Sequence, residues 1–127
     1  MLTANVEYKF KATHWIPGHP TCGKAHKHDW RIRVGVMRRP GFKPLKDGMV
    51  IDFKELLGMV RRVIKNAGPV LNDYVPIPTC ENLLEGWIVP ELRKTLRADA
   101  GREGPEELEL VRVELWENEK YYCEWVK

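Results

Sequence analysis

Residues 14–30 read HWIPGHPTCGKAHKHDW, and the runs on either side of them decide the fold. All four histidines of the 127-residue chain, His14, His19, His26 and His28, lie in this stretch, with Cys22 among them. On the N-terminal side Ala4, Val6, Tyr8, Phe10 and Ala12 alternate with Asn5, Glu7, Lys9, Lys11 and Thr13. On the C-terminal side Trp30, Ile32, Val34 and Val36 alternate with Arg31, Arg33 and Gly35. A period of two marks a half-buried strand, so two strands flank one loop. His14 prolongs the apolar face of the first run, and His26 and His28 prolong that of the second. Paired as an antiparallel hairpin, the strands place these three imidazoles side by side on one buried face. Such a trio suits zinc, and three protein ligands leave a fourth position for water or substrate. His19 or Cys22 would instead close the shell, as in a structural site. The plainer alternative is three histidines that only end two strands, although burying imidazoles without partners is unfavourable. His19, between prolines, is expected in solvent.

Length and composition set the frame. The chain suits one domain with a modest core. A hydrophobic content of 43% and a charged content of 31% are those of an ordinary globular protein. The formal net charge is +3. No basic run is interleaved with aromatic residues, which argues against nucleic acid and leaves room for an acidic small molecule. No apolar run reaches membrane-spanning length, and MLTANVEYKF lacks the basic end and apolar block of a signal peptide, so the expected compartment is the cytoplasm. Cys22, Cys80 and Cys123 are odd in number and far apart, which does not suggest a disulfide framework.

Beyond the second strand, Met37 to Asp47 reads as a loop. Asp52 is an N-cap, after which Phe53, Leu56, Leu57, Val60, Val63 and Ile64 share a helical face, and Gly68 and Pro69 stop the helix. Leu71 to Pro78 is an irregular connection. Thr79 caps a second helix with Leu83, Leu84, Trp87, Ile88, Leu92 and Leu96 toward a core, and Pro90 should kink or interrupt it. A polar, glycine-containing stretch follows near residues 99–107. Val111, Val113 and Leu115 mark the buried face of a third strand, and Glu117 keeps their parity. Asn118 to Lys120 turns the chain into a fourth strand, Tyr121 to Val126. A carboxylate at Glu117 needs a donor partner, from an arginine or from a ligand with an amidine-like edge. Glu114 and Glu119 are expected to be solvated. The predicted class is α+β: four antiparallel strands with two helices on one face. The open sheet edges invite further copies of the chain.

These residues, taken in order, resemble the 6-pyruvoyltetrahydropterin synthase family, and within it the 6-carboxytetrahydropterin synthases. The resemblance runs through Phe10-x3-His14 and Cys22-x3-His26-x-His28, with Lys27 where the family usually has glycine. It continues through Gly48-Met49-Val50-Ile51-Asp52-Phe53, Leu71-Asn72, Pro78-Thr79-x-Glu81-Asn82 and Leu115-Trp116-Glu117. It implies the tunnelling fold, in which three subunits close a barrel and two trimers stack into a hexamer. It implies zinc on His14, His26 and His28, with 7,8-dihydroneopterin triphosphate as substrate. Cys22 would be the general base, Glu117 the anchor of the pterin's amino-pyrimidinone edge, and Thr79 and Cys80 would line the pterin pocket near a subunit interface. One departure stands out. Just before Leu71-Asn72 the family usually carries an Asp-His pair, and this chain has Ala67 and Gly68. No histidine lies outside residues 14–28, so His19 or Asp73 would have to substitute for that base in space.

Overall fold

A computed structural model describes residues 1–45, 47–99 and 107–127. The alternating runs form β1 (Ala4–His14) and β2 (His26–Arg38), and the C-terminal runs form β3 (Leu108–Trp116) and β4 (Tyr122–Val126). The four strands make one antiparallel sheet in the order β1-β2-β3-β4. The outer edges of β1 and β4 therefore carry no strand partner among the described residues. Asn118 closes the last hairpin, its Oδ1 accepting from the N–H groups of Lys120 and Tyr121. The polar stretch foreseen near residues 99–107 falls largely on 100–106, outside the described residues.

Helix α1 (Phe53–Asn66) starts where Asp52 accepts from the Lys54 N–H. A short 3-10 turn (Leu71–Asp73) leads to a second helical rod, made of α2 (Cys80–Leu83), a π-turn (Leu84–Ile88) and α3 (Val89–Asp99). Thr79 caps the rod by accepting from the Asn82 N–H. Pro90 explains the π-turn. Proline offers no N–H to the carbonyl four residues back, and the rod widens just before it, with the Val89 N–H reaching the Leu84 carbonyl. All six apolar residues expected to face the core from this rod are buried.

Both helical rods pack on one sheet face, around Trp30, Ile32, Val34 and Val36 of β2 and Leu110, Val113 and Leu115 of β3. Two expectations need correction here. A bulge between Gly35 and Val36 pairs Gly35 with Arg112 but Val36 with Leu110, so Val111 is the extra residue. Leu110 takes its place in the core, and Val111, though buried, stands outside the core cluster. On α1, Phe53 is 63% exposed, and Met59 is buried in the face that Phe53 was expected to share. Phe53 opens the helix, beyond the reach of the sheet.

The helix-free face is a charged ladder. Arg33 lies 3.1 Å from Glu7 and 3.5 Å from Glu114, and Arg112 lies 2.9 Å from Glu124. Glu114 is buried there, not solvated as expected, because it also accepts from Trp116 Nε1 at 3.1 Å while Trp116 stacks on Tyr122. Among the described residues no helix is long and apolar enough to cross a membrane.

Leu115→Ala, at a fully buried position, should lower unfolding free energy by about 3 kcal/mol, whereas Phe53→Ala should stay within about 0.5 kcal/mol of the parent. Urea unfolding monitored by tryptophan fluorescence measures both. Equal losses at the two positions would contradict this assignment of the core.

Candidate metal centre

The β1–β2 register pairs His14 with His26 across the strands and Ala12 with His28 one step on. The ring centroids lie 4.5 Å apart for His14 and His26, 4.7 Å for His26 and His28, and 5.2 Å for His14 and His28. Below them Trp30 is fully buried, edge-on to His14 at 4.9 Å and to His28 at 5.6 Å, and its indole N–H is tied to the Ala12 carbonyl at 3.1 Å. The rings thus rest on a rigid apolar floor.

Hydrogen bonds set which nitrogen each ring presents. His14 Nδ1 donates to the Pro78 carbonyl at 2.9 Å, and His26 Nδ1 donates to the Lys24 carbonyl at 2.7 Å. A carbonyl only accepts, so each Nδ1 carries a proton, and Nε2 is the ring nitrogen turned toward the site. Glu117 Oε1 lies 3.1 Å from His14 Nε2 and 2.9 Å from His28 Nε2. The second contact lacks hydrogen-bond alignment, and His28 Nε2 is a buried nitrogen with no hydrogen-bond partner among the described residues. Burial, more than the neighbouring histidines, lowers the His28 pKa, against the pull of Glu117. His14 Nε2 and Glu117 Oε1 are already within hydrogen-bond distance, and a proton or a metal cation shared between these nitrogens and the carboxylate would satisfy both. The donor atoms of His14, His26, His28 and Glu117 all lie within 4.8 Å of one another. Nitrogen donors with one carboxylate are a zinc-type set, and the residues fit the metal. Cys22 does not join this group.

Several partners of these histidines were not foreseen. Asn72 clamps the residue after His14, its Oδ1 accepting from the Trp15 N–H and its Nδ2 donating to the Trp15 carbonyl, both at 2.9 Å. The Thr13 N–H bonds to the Pro69 carbonyl at 2.8 Å. The strap after α1 thus holds the end of β1. The signal available was Asn72 within Leu71-Asn72, but nothing local names its partner.

A cleft of about 270 Å³ opens beside the centre, lined by His14, His19, Cys22, Thr79, Cys80 and Glu117 among others. Cys22, Thr79, Cys80 and Glu117 were each singled out from sequence, and the fold brings them together. Cys80 and Cys123 are free thiols, like Cys22. Burial first, then the charge of Glu117, pushes Cys80 far above the thiol range. Burial and the adjoining Glu81 push Cys123 up to about 11, and its thiol donates to Glu81 at 3.2 Å. Both stay protonated at neutral pH.

The loop carrying Cys22 is built on His19. Its ring is exposed as expected, but Nδ1 accepts from the Cys22 N–H at 2.9 Å and from the Thr21 N–H at 3.2 Å. The Cys22 carbonyl accepts from the Ile16 N–H at 2.7 Å. Gly23 lets the turn close, since a Cβ there would meet the His19 carbonyl oxygen at 2.5 Å. Asp73 is exposed on the 3-10 turn and does not line the cleft. Ala67 is buried at the end of α1 and Gly68 sits at φ +74°, a conformation that favours glycine.

Fold and site define an α+β protein with a candidate metal centre, whose cleft is lined by His14, Glu117 and a loop thiol. The model of the family described as 6-pyruvoyl tetrahydropterin synthase matches residues 3–127, and the chain belongs to that family. A relative from Archaeoglobus fulgidus named "Putative 6-carboxy-5,6,7,8-tetrahydropterin synthase" is 38% identical over 79 residues, covering 61% of this chain and 65% of its own length. The 6-carboxy-5,6,7,8-tetrahydropterin synthase of Haemophilus influenzae is 25% identical over 98% of this chain and 99% of its own. The solved 6-pyruvoyl tetrahydropterin synthase of Caenorhabditis elegans shares the fold, with a TM-score of 0.72 at 18% identity over 99% of this chain and 95% of that one. That of Plasmodium vivax has a TM-score of 0.64 at 15% identity, over 100% and 99%.

His19→Ala should speed iodoacetamide labelling of Cys22 several-fold by loosening its loop, and His19→Asn, which retains a side-chain acceptor, should return it close to the parent rate. Peptide mapping by mass spectrometry reads the site directly. An unchanged rate in His19→Ala would remove the loop role given to His19.

Proposed function

We propose that the protein is a zinc-dependent lyase that converts 7,8-dihydroneopterin triphosphate and water to 6-carboxytetrahydropterin, acetaldehyde and triphosphate, or to a closely related tetrahydropterin. This is the chemistry of a 7-deazaguanine or queuosine-type pathway. One observation carries the reading: three imidazoles, two with Nδ1 tied to carbonyls, converge beside Glu117 at a cleft that also holds Cys22. The names of the archaeal and bacterial relatives support the carboxytetrahydropterin branch.

Zinc held by His14, His26 and His28 would supply Lewis-acid polarisation of the substrate's side-chain hydroxyls, acidifying the adjacent C–H bonds. Cys22 takes the proton from that carbon. Cys22 lines the cleft with Glu117 and Thr79, while Cys80 and Cys123 are held protonated. The Glu117 carboxylate accepts from the amidine-like edge of the pterin, two parallel N–H bonds fixing the ring's orientation. Thr79 and Cys80 shape the cleft wall beside it. Closure of the free edges of β1 and β4 by further copies of the chain, as a trimer or hexamer, would complete the cleft's outer wall, and the cytoplasm is the expected setting.

A second reading rests on Ala67 and Gly68, where neither side chain can relay a proton. Under it the protein binds zinc and the pterin but has lost or altered its synthase activity. General acid–base help is worth ~10²–10⁴-fold in rate, so its loss would separate binding from turnover.

Incubating the zinc-loaded protein with 7,8-dihydroneopterin triphosphate and identifying products by mass spectrometry should show triphosphate release. Cys22→Ala should reduce turnover by ~10²–10⁴-fold with zinc content unchanged. Binding without release would establish the second reading, and undiminished turnover in Cys22→Ala would remove the thiol from the mechanism. Glu117→Gln should retain zinc on the three histidines while weakening pterin affinity by about tenfold or more. Zinc loss as complete as in His26→Ala would instead make Glu117 a metal ligand, not the pterin anchor.

A further inference from the structure

A second cleft, of about 300 Å³, lies at the far end of the sheet, and its walls carry Arg39, Arg93 and Arg97. Arg39 follows β2 directly, and Arg93 and Arg97 are one turn apart on α3, so they share a face. Leu96, Leu108 and Leu110 form an apolar floor. At ~3.3 Å per strand residue, His28 and Arg39 are separated by on the order of 35 Å. This cleft is therefore remote from the histidine trio of the same chain.

The three guanidinium groups are not neutralised by carboxylates among the described residues. Nearby acids have other partners: Glu107 bonds Arg38 at 2.6 Å, and Glu109, which lines the cleft, bonds Lys127. Arg93 is held over the Trp125 ring, 4.8 Å from its centroid, a contact that orders the side chain without cancelling its charge. The Arg39 backbone is fixed by its N–H to the Glu107 carbonyl at 2.8 Å, yet its side-chain Nε is buried with no hydrogen-bond partner among the described residues. A buried N–H donor on a cation is unfavourable unless an acceptor fills the space before it. Like charges gathered around one cleft add to that need.

We propose that this cleft is a binding site for a small, multiply charged phosphate-class anion, taken either as free polyphosphate or as the phosphate tail of a nucleotide. Planar guanidinium groups present paired N–H donors that match phosphate oxygens, and a cleft of this size holds a short phosphate chain and excludes a duplex. The proposal is independent of the metal-centre chemistry.

The full-length, zinc-loaded protein titrated calorimetrically with sodium tripolyphosphate, and separately with adenosine triphosphate and inorganic phosphate, tests it. Saturable binding of tripolyphosphate is expected, weaker at higher salt. It should fall about tenfold or more in the exposed pair Arg93→Gln/Arg97→Gln and in Arg39→Lys, which keeps the charge but lacks the Nε fork. His26→Ala, which removes metal binding, should leave it intact. Tighter binding of adenosine triphosphate than of tripolyphosphate would identify a nucleotide as the source, and the reverse order would identify free polyphosphate. No saturable binding, equal affinity in the arginine variants, or loss of binding in His26→Ala would overturn the proposal. Thermal melting of each variant confirms that the fold persists.

Discussion

The pairing of β1 with β2 that sets His14 across from His26 is the constraint on which the rest depends. Side chains alternate along a strand, so a one-residue slip would turn His14 to the opposite face and leave His26 and His28 without it. The register is held because the same alternation buries Trp30, Ile32, Val34 and Val36 against two helical rods. Folding energy and site geometry are thus the same quantity here. The apolar face that stabilises the sheet also aims the imidazoles.

What the sheet aims, the helical layer locks. Pro78, just before the rod that begins at Cys80, supplies the carbonyl that fixes the His14 tautomer. Asn72, after α1, grips both backbone groups of Trp15. Lys24, in the loop, does for His26 what Pro78 does for His14. Each ring is oriented by a group from a different part of the chain, which is how an outer shell raises ligand basicity and limits motion. The cleft's three thiols divide in the same manner. Cys80 and Cys123 are silenced by burial and nearby carboxylates, whereas Cys22 sits on a loop organised by His19.

The two sheet faces and two sheet ends have separate tasks. One face packs the helices, and the other carries alternating charges in which Glu114 is buried among partners. One end gathers imidazoles round a carboxylate, and the other gathers guanidinium groups over an apolar floor. The bulge at Gly35 and Val36 lies between Ile32–Leu115 on the histidine side and Arg38–Leu108 on the arginine side. It changes the parity of β3, so that Leu110 and Val113, an odd distance apart, both reach the core.

Alternation in residues 4–14, 26–36 and 111–117, the turn at 118–120, and helical spacing in 53–64 and 83–96 made four strands, two helices and the trio His14, His26 and His28 legible from the sequence. Period and capping are local properties, and local patterns survive translation into secondary structure. The position of Val111, the exposure of Phe53 and the burial of Glu114 were not legible, because each depends on which partner strand or helix arrives opposite. The partners of His14, which are Pro78 and Glu117, lie 64 and 103 residues away along the chain. No local pattern encodes such separations. Only packing of the helical rod brings the Pro78 carbonyl, and only the pairing of β3 with β2 brings the Glu117 carboxylate, to one ring, and that convergence makes three histidines at strand ends a candidate site for a cation.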